Sequence, residues 1–188
     1  MIAQEYFNRI SNHLQTLLRG EEVFTADYQS EDSDFVRFNR SEIRQAGTVK
    51  QKALSIDLIE GRKHAGGSVS LTGHFEMDRP RVEGMVANLR EQRSHLPDDP
   101  HLQIATEVNS TDRKMEDRLP GEEAAISEIR KAGEGRDLVG IYASGGIHSG
   151  FSNSLGQRNW YSNYSYNLDW SFYHRKDKAV KTGYAGFE

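Results

Sequence analysis

His74, Glu76 and Asp78 alternate along the segment "GHFEMD". On a strand, that alternation would turn an imidazole and two carboxylates to one side, a donor set suited to a divalent metal. A strand end running into a helix accounts for the same residues without a metal. The seven histidines are otherwise scattered, and neither an HExxH nor an HExxxH pair occurs, so no helix face offers two imidazoles beside a general-base glutamate. There is no GxSxG elbow, no GxxxxGK[ST] phosphate loop and no cysteine, which removes thiolate nucleophiles, thiolate metal sites and disulfides from consideration. The glycine-rich run "YASGGIHSGFSNSLG" could bring main-chain N–H groups close to a phosphate, but it lacks the lysine and the following helix of such loops. Its turn chemistry predicts a hairpin joined at Ser144 to Gly146 and a second turn over Asn153 to Gly156.

The most distinctive stretch is "NWYSNYSYNLDWSFYH", residues 159–174, in which seven of sixteen residues are aromatic. Its even positions carry Trp160, Tyr164, Tyr166, Leu168, Trp170 and Phe172; its odd positions carry Asn159, Asn163, Ser165, Asn167, Asp169 and Ser171. A period of two predicts one long strand with an aromatic face and an amide-and-hydroxyl face. A membrane barrel would need many such segments, and a base-stacking platform would need a basic surround, so the aromatic face is assigned to a core. On the polar face, Asn163, Asn167 and Asp169, supported by the turn at Asn153 and Ser154, are the candidates for binding an extended peptide or a subunit. At a sheet edge this strand could capture a peptide by main-chain pairing; in a central position its hydrogen bonds would be spent within the sheet. In "DFVRFNRSEIRQAGTVKQ", Arg37, Arg40, Arg44 and Lys50 interleave with Phe35 and Phe38, but the two aromatics fall on opposite parities, so the segment reads as a solvated strand.

These residues need elements to hold them. Ile2, Tyr6, Ile10, Leu14 and Leu17 recur at helical spacing and predict a helix over 2–19. A second is expected over 79–95, with Asp78 as N-cap and Pro80 in the first turn, and a third over 120–132. Strands are expected at 22–29, 33–41, 42–51, 52–61 and 63–75, and as a meander from 137 onward. The charged, proline-punctuated stretch 97–117 reads as a linker. The expected class is α+β in two units: a helix-flanked mixed or antiparallel sheet over 1–96, then a mostly antiparallel sheet with one helix over 118–188.

The 28 acidic and 24 basic residues give a net charge of -4, which argues against a general nucleic-acid binder. No run approaches a membrane helix, and the start lacks the pattern of a signal peptide, so a cytoplasmic protein is expected.

Two stretches together resemble the TldD/PmbA family. "FVRFNRSEIRQAG" is similar to a first-domain signature in which one strand turns directly into the next. "GFSNSLGQRNWYSNYSYNLDWSFYH" is similar to an Asn-Ser-x-Gly turn followed by a long strand. The order of elements agrees over nearly the whole chain. The resemblance implies cytoplasmic zinc metallopeptidases, also labelled modulators of DNA gyrase, whose HExxxH helix lies late in a chain more than twice this length. It further implies a dimer with itself or a paralogous subunit, and an extended, unstructured peptide as substrate. Zinc is expected in a full-length protein that carries HExxxH, and no cofactor is expected in these 188 residues. The alternative is a non-enzymatic binding or regulatory module, such as a gyrase modulator.

Overall fold

The structure, a computed structural model, describes residues 2–176 and 178–187, without the side chains of 174 and 187. In order they form α1 (Ala3–Leu17), β1 (Val23–Asn39), β2 (Glu42–Glu60), β3 (Lys63–Ser70), α2 (Phe75–His95), β4 (Thr111–Lys114), α3 (Glu122–Gly133), β5 (Leu138–Asn153), β6 (Arg158–Arg175) and β7 (Lys178–Phe187). The class is α+β. The strands belong to one seven-stranded sheet of order β3-β2-β1-β5-β6-β4, with β7 also paired to β6. Two compact units draw on this sheet, each from three separate stretches of chain. The first takes residues up to Ser30, Gln51–Lys114 and His148–Tyr161; the second takes Glu31–Lys50, Met115–Ile147 and the residues from Ser162 on. The stretch 97–117, read as a linker, includes β4.

In the first unit, α1 buries Tyr6, Phe7, Ile10 and Leu14, one stripe at helical spacing. They meet the even-numbered Phe24, Ala26 and Tyr28 of β1, Leu54, Ile56 and Leu58 of β2, and Val82, Val86 and Leu89 of α2. Trp160 closes this core, stacked on Phe7 and Tyr28 at 6.1 Å and on His148 at 6.0 Å. Each large side chain so buried contributes about 2–3 kcal/mol by area.

The helix α2 begins a turn earlier than expected, which moves Asp78 from the cap into the first turn and Pro80 beyond it. Asp78 is fully buried. Its carboxylate accepts the Thr72 and Gly73 N–H groups at 2.9 Å, the Thr72 hydroxyl at 3.0 Å and the Tyr6 hydroxyl at 2.6 Å. It therefore fastens the β3–α2 connection to α1. Burial opposes its charge, but the Tyr6 hydroxyl and the Thr72 and Gly73 donors outweigh it and hold the carboxyl below its usual pKa. A second carboxylate, Glu22, receives Arg90 twice at 2.7 Å and Arg93 at 3.0 Å, and Arg93 also reaches Glu60 at 2.7 Å. Arg90 above all, with Arg93 and the Arg19 N–H, lowers the Glu22 pKa from 4.5 to about 2.

In the second unit, β1 and β2 form a hairpin whose two turn residues, Arg40 and Ser41, both have left-handed φ (53° and 62°), as the two-residue turns that match strand twist require. The Ser41 hydroxyl lies 2.6 Å from the Arg136 carbonyl and 2.8 Å from that of Gly133, and so holds the end of α3. Gly121 caps α3, which leaves Pro120 outside the helix. Val36, Phe38, Leu138 and Tyr142 form the core under Ala125, Ile126 and Ile129 of α3, flanked by Tyr166, Leu168 and Phe172. Only residues 53–60 of β2 pair with β3, so among the described residues 42–51 have β1 as their one partner strand.

Three expectations change. The strands read at 22–29 and 33–41 are one strand, as are those at 42–51 and 52–61. The polar "SEDSD" stays extended, with Asp32 paired to Lys50 and Asp34 accepting from Thr48 across the hairpin. No hairpin forms at Ser144 to Gly146; β5 runs through the glycines. Gly145 lies against the main chain of Asp32 and Ser33, and a Cβ at Gly150 would come within 2.6 Å of the Phe7 ring, so these glycines serve close packing and not a turn.

Asp78→Ala leaves four donors without their buried acceptor and should lower stability by about 3 kcal/mol, read as a shift of the urea midpoint at constant slope. A loss below about 1 kcal/mol would show that water replaces the carboxylate. Glu22 has a folded pKa below its ordinary value, so its contribution is complete above pH 4.5 and disappears as pH falls toward 2. Across that window the unmodified chain should lose about 3 kcal/mol that Glu22→Gln no longer loses; superimposable acid limbs for the two proteins would refute it.

Candidate functional site

The long aromatic strand is central. Residues 165–175 of β6 pair with β7, β5 lies on the other side, and Met115 next to β4 donates to the Ser162 carbonyl at 3.1 Å. Main-chain capture of a peptide along β6 is therefore closed, and whatever its polar face binds must be held by side chains.

The five candidate residues divide between the units. Asn153 and Ser154 lie in the first, at the β5–β6 turn. The buried Asn153 side chain accepts the N–H groups of Leu155 at 3.0 Å and Gln157 at 2.9 Å. Ser154 exchanges bonds with Phe24, its N–H to the carbonyl at 3.1 Å and its hydroxyl from the N–H at 3.2 Å. Both are committed to shaping the turn. Asn163, Asn167 and Asp169 lie in the second unit on alternate positions of β6, half-buried, exposed and half-buried. Asp169 pairs with Lys181 at 3.2 Å. It lines an open depression of about 580 Å³ with Arg37, Arg44, Gln45, Trp170 and Lys181. With its one acid matched by Lys181, that depression is left with the charge of two arginines, and it suits an acceptor-rich backbone.

On the aromatic side, a groove of about 330 Å³ runs between α3 and the sheet, lined by Leu119, Ala125, Ile129, Tyr142, Tyr166, Leu168 and Tyr184. The Tyr142 hydroxyl is buried and has no hydrogen-bond partner among the described residues. Such a groove can take an apolar side chain. The sequence reading passed over Tyr142 and Tyr184. The signal for Tyr142 was available: Leu138 and Tyr142 share the even parity of the aromatic strand.

His74, Glu76 and Asp78 do not fit zinc. Glu76 pairs with Arg9 at 2.7 Å, the Asp78 oxygens are filled by Tyr6, Thr72 and Gly73, and all three candidate donors sit at the start of a helix, not along one strand face. Among the described residues no group of three His, Asp or Glu could hold a metal ion. Nor, among the described residues, is any helix long and apolar enough to cross a membrane.

No protein-family model and no curated protein matches the chain. Solved structures do. A protein named a modulator of DNA gyrase from Bacteroides thetaiotaomicron matches with a TM-score of 0.64 at 12% identity, over 100% of this chain and 45% of its own. A second protein so named, from Thermotoga maritima, matches at 0.58 and 10% identity, over 97% of this chain and 42% of its own. TldE from Thermococcus kodakarensis matches at 0.57 and 12% identity, over the same shares. The chain thus spans less than half the length of each, and at these identities the likeness is one of fold. The fold of this chain is therefore that of a part, 42–45% by length, of two proteins named modulators of DNA gyrase and of TldE.

Proposed function

We propose that the chain serves as the N-terminal portion of a TldD/PmbA-type metallopeptidase, building the assembly and shaping the channel by which an unstructured peptide reaches a zinc site. The observation that supports this most is the correspondence of fold along the whole chain with less than half of each longer neighbour. The metal donors would come from outside these 188 residues, since His74, Glu76 and Asp78 do not fit that role. The partner is a second copy or a paralogous subunit, the substrate an extended peptide, and the location cytoplasmic. The basic depression at Asp169 and the tyrosine groove beside α3 are the surfaces with room for such a peptide. The neighbours' names support a second reading, a regulatory module without catalysis.

Metal analysis and peptide cleavage by the complete gene product separate the two. The first reading expects bound zinc, cleavage of an unstructured peptide and loss of cleavage with a chelator, while this chain alone with added zinc stays inactive. A complete product that binds no zinc and cuts no peptide favours the second reading. Chelator-sensitive cleavage by this chain alone would show that the donors lie within it.

Asn163→Lys with Asn167→Lys in the complete protein places two cations on the polar face of β6. Peptide turnover should fall by about tenfold, or the oligomeric state should change, with far-UV circular dichroism intact. If both are unaltered, that face takes no part in either.

A further inference from the structure

The first unit holds a polar cleft of about 460 Å³ that the reading above leaves unused. One wall is a stripe of amides on α1, Gln4, Asn8 and Asn12, spaced i, i+4, i+8 and so stacked on one helix face. The other is β4 with the start of β6, where Arg158 and Trp160 lie. The Asn159 side chain bonds the Asn109 carbonyl at 3.1 Å and the Thr111 hydroxyl at 2.8 Å, which fixes that wall.

Arg158 sets the chemistry. Its Nη2 donates to Asn12 Oδ1 at 3.0 Å, and its Nη1 is buried with no hydrogen-bond partner among the described residues. Half-buried guanidinium groups ordinarily recruit a carboxylate. This one faces a neutral amide instead, and burial without a counter-ion lowers its pKa. The one acid lining the cleft, Asp112, is matched by Lys114 at 3.1 Å and accepts from Gln4 at 3.1 Å. The uncompensated charge of the cleft is therefore that of a single arginine. A dianion such as phosphate would exceed it; a monoanion matches it. The exposed Asn8 amide offers a donor and an acceptor beside that charge, as a peptide linkage requires.

We propose that this cleft binds the carboxylate of an extended peptide, with Arg158 as its anchoring cation and Asn8 and Asn12 meeting the adjoining main chain. The proposal rests on the peptide-substrate reading only for the molecule that carries the carboxylate; the cleft itself calls for the anion. Binding without turnover tests it. The 188-residue chain is titrated calorimetrically with a pentapeptide of alanine and serine as the free acid, as its C-terminal amide, and as that amide with a central glutamate. At least one of the two carboxylate peptides should bind about tenfold more tightly than the plain amide, and which of them does so shows whether the terminus or an acidic side chain is the ligand. Arg158→Met should abolish the difference and Arg158→Lys keep part of it. Equal binding of all three peptides, no binding of any, or a preference that survives Arg158→Met would overturn the proposal. Should the methionine variant fail to fold, the comparison of peptides on the unmodified chain still decides. Cleavage plays no part in this readout, so a failure here and a failure of the peptidase reading remain distinct.

Discussion

Strand phase is the constraint on which this structure depends. β1 buries Phe24, Ala26, Tyr28 and Ser30 in its first half and Val36 and Phe38 in its second, all on even numbers. Side chains alternate with a period of two, so one inserted residue anywhere between these sets would turn the later one outward. The intervening "SEDSD" must therefore stay extended even though its composition favours a turn. There β1 lies between β2 and β5, and Asp34 and Asp32 reach Thr48 and Lys50 across the hairpin.

That explains which parts of the fold were legible in the sequence. The alternation over 159–174 is local, and β6 covers nearly the same span. The apolar stripe of α1 and the Asn153 turn were legible for the same reason: each is written in neighbouring residues. The strand breaks were misread because Asp, Ser and Gly signal turns only while nothing across the sheet engages them, and here Lys50, Thr48 and the main chain of Ser33 do. Strand order is not local at all, and the central position of β6, which decides whether its main chain is free to pair, had to come from the structure. Asp78 shows the same limit in one residue. Its type and place suggested a helix cap or a metal donor, whereas its acceptor capacity is taken up by Tyr6, from a different helix, and by Thr72 and Gly73.

Polar groups in this chain thus fall into two kinds. Asp78, Glu22, Asn153 and Ser41 are saturated and hold connections in place. The Tyr142 hydroxyl and Arg158 Nη1 are buried without partners among the described residues, in side chains that line a groove and a cleft. An unsatisfied buried group costs free energy in the isolated fold.

The stretch 42–51 of β2, left by β3 without a second neighbour, carries a risk of its own. An open run of main-chain donors and acceptors is a template on which further copies can polymerise into fibres. Glu42, Arg44 and Lys50 are exposed along it, and Gly47, packed against the Phe35 ring, contributes no side chain that a stacking copy could grip. Ile43, 46% exposed, is the apolar weak point. The charges along it oppose such pairing.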